Sequence, residues 1–315
     1  MYIQRYFSIA AAPTALTIGN FDGVHLGHQA MLKRTVEAAR SLGILPRALT
    51  FEPHPREFFA PDQAPVRLTS LREKLELLKS HGIERVQICR FDYRFAQIVA
   101  EEFVERIVCR GLNAKWALVG EDFRFGARRT GDLTMLKLAG AQHGFEVEVQ
   151  PVVTANGARV SSTAVREALA AGEMMHAQRL LGRPYSISGR VVRNDQLGRK
   201  LGFPTANILM MHNRPPLQGI YAVEVQGVSD QPWPGVASLG VRPTIGRDLR
   251  PVLEVHLLDF KREIYGAHLR VDFLHKFRDE EKYADVETLK RQIARDVENT
   301  KDFFNRQNQN LRNRG

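Results

Sequence analysis

The chain is predicted to be an α/β protein in two parts: a parallel sheet alternating with helices, then a small antiparallel β-barrel with a C-terminal helix. Three observations predict this. Between residues 14 and 150, apolar runs of strand length alternate with stretches of helical period. After Pro184 the period changes to two, broken by turns that contain Gly and Pro. Residues 286–303 place Leu289, Ile293 and Val297 on one helical stripe, following a capping Asp285. At 315 residues there is room for two domains, read as 1–183 and 184–315 with the boundary at Leu181-Gly182-Arg183-Pro184.

In the first half, Ala15-Leu16-Thr17-Ile18 opens the sheet, and residues 45–51, 85–91, 116–120 and 145–150 continue it. Residues 29–40 form a helix with Leu32, Val36 and Ala39 on one face. Residues 70–79 start at a capping box, Ser70 and Glu73, carry Leu71, Leu75 and Leu78, and stop before Gly82. Residues 98–110 and 133–142 are further helices. In the second half, residues 186–193, 220–226, 233–239, 252–258 and 269–274 alternate as antiparallel strands. Strands joined through helices place ligands at the carboxyl ends of a parallel sheet.

Composition narrows the class. Hydrophobic residues make up 43% of the chain and charged residues 25%, as in an ordinary globular protein. The two cysteines, Cys89 and Cys109, lack metal spacing and point to a reducing, cytoplasmic setting. Cleavage at Ala10-Ala11-Ala12 would trim the lead-in to the first strand, so no signal peptide is read. No apolar run approaches the roughly 18 residues of a membrane span. The net charge of +10 favours anionic partners, nucleotides or nucleic acid. Part of that excess lies in the polar tail, residues 305–315, read as a mobile end. Oligomerisation is left open.

The densest signal is Gly19-Asn20-Phe21-Asp22-Gly23-Val24-His25-Leu26-Gly27-His28, between a strand and a helix. Glycines allow close backbone approach, and the free N–H groups of a helix mouth meet an anion. Two histidines three apart can face the same phosphate. Three segments accompany it. Thr50-Phe51-Glu52-Pro53-His54-Pro55 ends one strand in two prolines, and Gly120-Glu121-Asp122-Phe123-Arg124-Phe125-Gly126 ends another with two aromatics. Ser161-Ser162-Thr163-Ala164-Val165-Arg166 sets hydroxyls at a helix start with an arginine one turn in. That last segment reads either as a plain N-cap or as a phosphate clamp. Phosphoryl and nucleotidyl transfer need charge neutralisation and in-line positioning, which this set supplies.

The β-half carries Gly198-Arg199-Lys200-Leu201-Gly202-Phe203-Pro204-Thr205-Ala206-Asn207. Thr205 and Asn207, two apart in extended chain, offer neutral oxygens suited to completing the shell of a Mg²⁺ held by ATP phosphates. In residues 251–258, Leu253, Val255 and Leu257 share one face and Glu254 projects from the other. A carboxylate in mid-strand runs against propensity, and a general base for a hydroxyl nucleophile would explain it.

The decapeptide resembles the HxGH box of nucleotidylyltransferases. Class I aminoacyl-tRNA synthetases carry a similar box, but no lysine-rich KMSKS-like loop occurs here. Taken in order, GNFDGVHLGH, FEPHP, GEDFRFG, SSTAVR, GRKLGFPTAN, GVRPT, the Glu254 strand and FLHKFR make the chain similar to the bacterial bifunctional riboflavin kinase/FMN adenylyltransferases over nearly its whole length.

The resemblance implies a Rossmann-like nucleotidylyltransferase domain that adenylylates FMN to FAD, with pyrophosphate released. It also implies a barrel that phosphorylates riboflavin. It assigns ATP in the first site to Gly19, Phe21, His25, His28, Asp122, Ser161, Thr163 and Arg166. Of these, His25, His28 and Arg166 would be catalytic. The flavin falls to Pro53, His54, Pro55, Phe123, Phe125 and Arg278. In the kinase site ATP falls to Gly198, Lys200, Pro204, Thr205 and Asn207, with Mg²⁺ on Thr205 and Asn207 and Glu254 as base. Riboflavin, FMN and ATP are the implied partners, with no membrane or nucleic acid. Two positions depart from the family: Asn194 stands where glycine is common, and Ser238 where asparagine is common. They bear on kinase efficiency rather than kinase identity. The alternative is a nucleotidylyltransferase with a non-catalytic, nucleic-acid-binding barrel, but no face shows aromatics interleaved with basic residues.

Overall fold

The computed structural model describes residues 1–6, 12–193, 197–211, 214–242 and 250–312. Contacts divide the chain into two compact units, Met1–Pro65 with Leu71–Ser162, and Val66–Ser70 with Thr163–Gly315.

The first unit is built on six parallel strands: β1 (Tyr2–Gln4), β2 (Thr14–Ile18), β3 (Leu45–Glu52), β4 (Arg85–Arg90), β5 (Ala114–Gly120) and β6 (Glu146–Gln150). Their order is β1-β4-β3-β2-β5-β6. Every residue of β2 is buried, as a central parallel strand covered on both faces requires. The chain leaves β2 toward β3 on one side, and β5 lies on the other. The loops after β2 and β5 therefore diverge at a topological switch point, where open α/β sheets hold their ligands. The decapeptide follows β2, and GEDFRFG follows β5.

The helix Leu26–Leu42 packs on β2, β3 and β5 and ends at Gly43 in left-handed conformation. The helix Leu71–Ser80 buries Leu78 with Val86 and Ile88. A continuous α-helix over residues 98–110 is corrected: Ala100–Glu102 is α-helical, and Phe103–Gly111 winds as a π-helix. The buried residues there come in pairs four apart, Phe103/Val104 and Ile107/Val108. A turn wider than the 3.6 residues of an α-helix keeps those pairs on one face. The hairpin β7 (Thr154–Ala155) and β8 (Ala158–Arg159) turns on Asn156-Gly157, both at positive φ.

The second unit holds a closed antiparallel barrel, ordered β10-β13-β12-β11-β14-β9. Its strands are β9 (Tyr185–Val192), β10 (Ala206–Met210), β11 (Gly219–Gln226), β12 (Trp233–Arg242), β13 (Arg250–Leu257) and β14 (His268–Arg278). Alternate residues such as Ile187, Val223, Leu253, Val255 and Val271 are fully buried. The helix Met174–Leu181 packs on β14 and β9. The C-terminal helix packs on β12 and β11 and spans Val286–Arg312, so its expected end at Phe303 is corrected, and residues 305–312 of the tail are helical. Neither glycine nor proline interrupts this stretch before Gly315, so nothing in the sequence stops the helix earlier. Among the described residues no helix is long and apolar enough to cross a membrane.

Candidate active sites

At the mouth of Leu26–Leu42, three loop residues have positive φ: Phe21 (49°), Gly23 (80°) and Val24 (41°). For the two that are not glycine this costs about 1–3 kcal/mol each, and full burial of both side chains holds them there. His25 is the N-cap. Its Nδ1 accepts from the His28 N–H at 3.3 Å. The two imidazoles stack, centroids 3.8 Å apart and 18° from parallel, and Phe21 meets His28 edge-on at 5.3 Å. Gly27 is required by this stack, because a Cβ there would lie 3.1 Å from the His25 ring.

His28 Nδ1 and Asn20 Oδ1 are buried with no hydrogen-bond partner among the described residues. Burial, then His25 and Lys74, push the His28 imidazole well below its ordinary value. Two buried polar atoms left unmatched at a helix N-terminus suit a ligand that both donates and accepts, as a phosphate with bound water does.

Ser162 Oγ donates to the Asp22 carbonyl at 3.0 Å, which ties Ser162 to the loop. Ser161 stands just before the helix Ser162–Ala170 and is half-buried. Thr163 is exposed, and Arg166 Nε donates to the Val66 carbonyl at 2.6 Å. Thr163 and Arg166 belong to the second unit.

The carboxyl ends of β3, β4 and β5 carry an aromatic ladder. Phe59, 66% exposed, touches Phe58 and Phe91, and Phe91 touches Phe51 and Phe95. Phe95 meets Phe103, Phe103 meets Phe125, and Phe123 stacks on Phe125 at 5.5 Å. Phe58 and Phe59 belong to the short helix Pro55–Phe59, whose N-cap is His54. Here His54 shapes the backbone. Its Nδ1 accepts from the Arg56 N–H, and its own N–H donates to Glu57, a capping box for Pro55–Phe59. Asp122 is exposed and paired at 3.1 Å with Arg159 of the β7–β8 hairpin. Sequence reasoning passed over Arg159, although Asn156-Gly157 is a strong hairpin signal.

In the barrel, the β10–β13 register sets Asn207 opposite Glu254, and the β12–β13 register sets Ser238 on the other side of Glu254. Directly opposed residues share a face, so the three polar side chains form one row. Ser238 Oγ donates to Glu280 at 2.7 Å. Glu254 is half-buried between the fully buried Leu253 and Val255.

Gly198 packs so tightly that a Cβ would lie 2.4 Å from the Phe203 carbonyl and 3.1 Å from Thr205 Oγ1. Pro204 and Thr205 line a cleft with Arg199, Phe260, Arg262 and Tyr265. His256, two residues beyond Glu254, reaches the Pro204 carbonyl with Nδ1 at 2.8 Å. Sequence reasoning missed it, though strand alternation puts it on the Glu254 face. Arg278 is held by Asp296 of the C-terminal helix through two hydrogen bonds, 3.1 and 2.6 Å. Asn194, the Lys200 side chain, and Pro243 and Thr244 of GVRPT lie outside the described residues. Among the described residues no three His, Cys, Asp or Glu side chains gather to hold a metal. Thr205 and Asn207 are neutral donors, which fit an ion that arrives with a nucleotide rather than one the protein holds alone.

Residues 8–164 match the family model for FAD synthetase, and residues 181–304 match that for riboflavin kinase. The bifunctional riboflavin kinase/FMN adenylyltransferase of Escherichia coli K12 is 47% identical over 305 residues, covering 96% of this chain and 97% of that one. The chain belongs to the bifunctional riboflavin kinase/FMN adenylyltransferase family. The Pseudomonas fluorescens member is 48% identical, with 89% of this chain and 90% of that one covered. A crystal structure from Streptococcus pneumoniae, described as a macrolide-efflux protein, has the same fold, with a TM-score of 0.81 and 28% identity over 96% of this chain and 99% of that one. A family member with a riboflavin kinase half does not favour the alternative of a barrel that only binds RNA.

Proposed function

We propose that the chain makes FAD from riboflavin in two ATP-dependent steps, with FMN adenylylation in residues 1–183 and riboflavin phosphorylation in residues 184–315. In the kinase step the ribityl 5′-hydroxyl attacks the γ-phosphorus of ATP, Glu254 accepts its proton and ADP leaves. Mg²⁺ bound with the ATP phosphates, on Thr205 and Asn207, would neutralise charge on the transferred group. The cleft beside Thr205, walled by Phe260 and Tyr265 and flanked by Arg199 and Arg262, takes the nucleotide. The observation that supports this step is the register of Asn207 opposite Glu254, which sets an amide side chain and a carboxylate on one face.

In the second step an FMN phosphate oxygen attacks the α-phosphorus of a second ATP, and pyrophosphate leaves. That nucleophile is already anionic, so no protein base is needed. His25, His28 and the helix N–H groups stabilise charge on the α-phosphate, supported by Ser161. The exposed Phe59, with Phe58 edge-on against it, offers the flavin ring an aromatic wall. Free Cys89 and Cys109 accord with a cytoplasmic setting.

The test is incubation of the protein with riboflavin, ATP and Mg²⁺, followed by separation of the flavins. FMN and then FAD are expected; FMN without FAD, or neither, would remove the corresponding half of the reading.

A further inference from the structure

Thr205 is flanked by two attachments to the strand that carries Glu254. On its C-terminal side, Ala206 pairs with Val255 in the β10–β13 ladder. On its N-terminal side, the Pro204 carbonyl lies 2.8 Å from His256 Nδ1. A carbonyl only accepts, so Nδ1 carries the hydrogen and donates. The His256 ring also meets Phe203 edge-on, centroids 5.8 Å apart and 82° between planes.

The turn before Thr205 also carries hydrogen bonds of its own. Phe203 and Leu201 N–H groups donate to the Gly198 carbonyl at 2.8 and 3.2 Å, and Gly202 N–H donates to Arg199 at 3.2 Å. Gly198 lies so close to Phe203 and Thr205 that residues 198–205 form one tightly packed piece. With Ala206 fixed in the ladder, that piece has a hinge at one end and His256 as its latch.

We propose that His256 is a positioning residue of the kinase site. It latches the 198–205 turn to β13 and so sets the distance between the ATP phosphates and the hydroxyl that Glu254 deprotonates. The inference rests on the assignment of kinase chemistry to the barrel. His256 acts through the Pro204 carbonyl.

The test uses the full chain and three variants, with total FMN plus FAD formed from riboflavin as the readout. His256→Phe keeps a ring against Phe203 and deletes the donor. Its KM for ATP is expected to rise about three- to tenfold, the reach of one lost hydrogen bond. The KM for riboflavin and the rate of FAD formation from supplied FMN are expected to stay near the parent values. His256→Asn places an amide N–H near the lost Nδ1–H and is expected to restore the ATP KM. Should the phenylalanine variant misfold, His256→Leu is read in the same way. Hydrogen exchange over residues 197–206 is expected to quicken in the donor-less variants and not in His256→Asn.

An unchanged ATP KM in a folded donor-less variant, or an equal rise in His256→Asn, would overturn the latch. A parent protein that makes no FMN would overturn the kinase assignment instead.

Discussion

His25 and His28 stack face to face, 3.8 Å between ring centroids, with the His25 Nδ1 accepting from the His28 backbone N–H. The contact makes one histidine the cap of the helix and leaves the other with a buried, unmatched Nδ1 at the same mouth. His28→Ala is expected to slow FAD formation from FMN by about 10²–10³, the usual loss for one charge-stabilising donor. Riboflavin phosphorylation by the same protein should continue near the parent rate. Equal losses in both assays would point to a single shared site.

The same histidine gives a pH signature. Burial first, then His25 and Lys74, lower its folded pKa well below 6.5. The unfolded chain therefore takes up a proton, as pH falls below about 6.5, that the folded chain refuses. Stability from this group is complete above that pH and is lost below it, at up to about 1.4 kcal/mol per pH unit. Denaturant midpoints for the parent and His28→Asn, compared between pH 7.5 and 5, should show the smaller decline in the variant. Parallel declines would mean that His28 is not the titrating group.

Glu254→Gln keeps the shape of the side chain and removes its basic oxygen. Kinase turnover is expected to drop about 10²–10⁴, with little change in riboflavin affinity and none in FMN adenylylation. Turnover at the parent rate would show that the proton leaves by another route.

Glu254 is legible in the sequence alone. The period of two set it apart from Leu253 and Val255, and the structure buries those two and leaves Glu254 half-exposed. What alternation cannot supply is the partner strand: Asn207 is 47 positions away, and only barrel closure brings it opposite. Residues 98–110 failed for a different reason, since apolar pairs spaced four apart satisfy both α and π winding. His54 and Arg278 were legible as polar residues inside motifs. That Arg278 holds Asp296 depends on geometry that no local pattern encodes, whereas His54 followed by Pro55 and Glu57 is a local capping-box spacing that went unread.

The Arg278–Asp296 pair joins β14 to the C-terminal helix, with the carboxylate 5% exposed and the guanidinium 19%. Removing one partner strands the other in a poorly solvated place. Asp296→Ala is expected to lower stability by about 3–5 kcal/mol. Thermal unfolding of the full chain checks it, and a shift of under a degree would mean that the helix is held by its apolar stripe alone.

Fragments separate the two activities. Residues 184–315 retain Glu254 and the 198–205 turn but lose the helix Met174–Leu181, whose Ala177, Leu180 and Leu181 are buried. That fragment and a longer one from Thr163 are both expected to form FMN and no FAD. The shorter one should melt lower, since each buried aliphatic side chain is worth about 1.5–3 kcal/mol. A folded fragment that binds riboflavin and ATP without forming FMN would sink the assignment.

The barrel closes on itself and offers no free edge, whereas the parallel sheet ends at β1, three residues long and paired only with β4. Tyr2 and Ile3 face solvent, while Val86, Gln87, Ile88 and Cys89 behind them are buried. β1 therefore works as a selvedge. Its short, twist-prone rim, with Arg85 laid over the Tyr2 ring at 4.8 Å, screens a longer apolar strand from the open backbone of other molecules. Trimming four residues from the N-terminus would cost little buried area, yet it would turn β4 into a sticky margin. Material shortened there should fail first by clumping in concentrated solution, before either reaction rate declines.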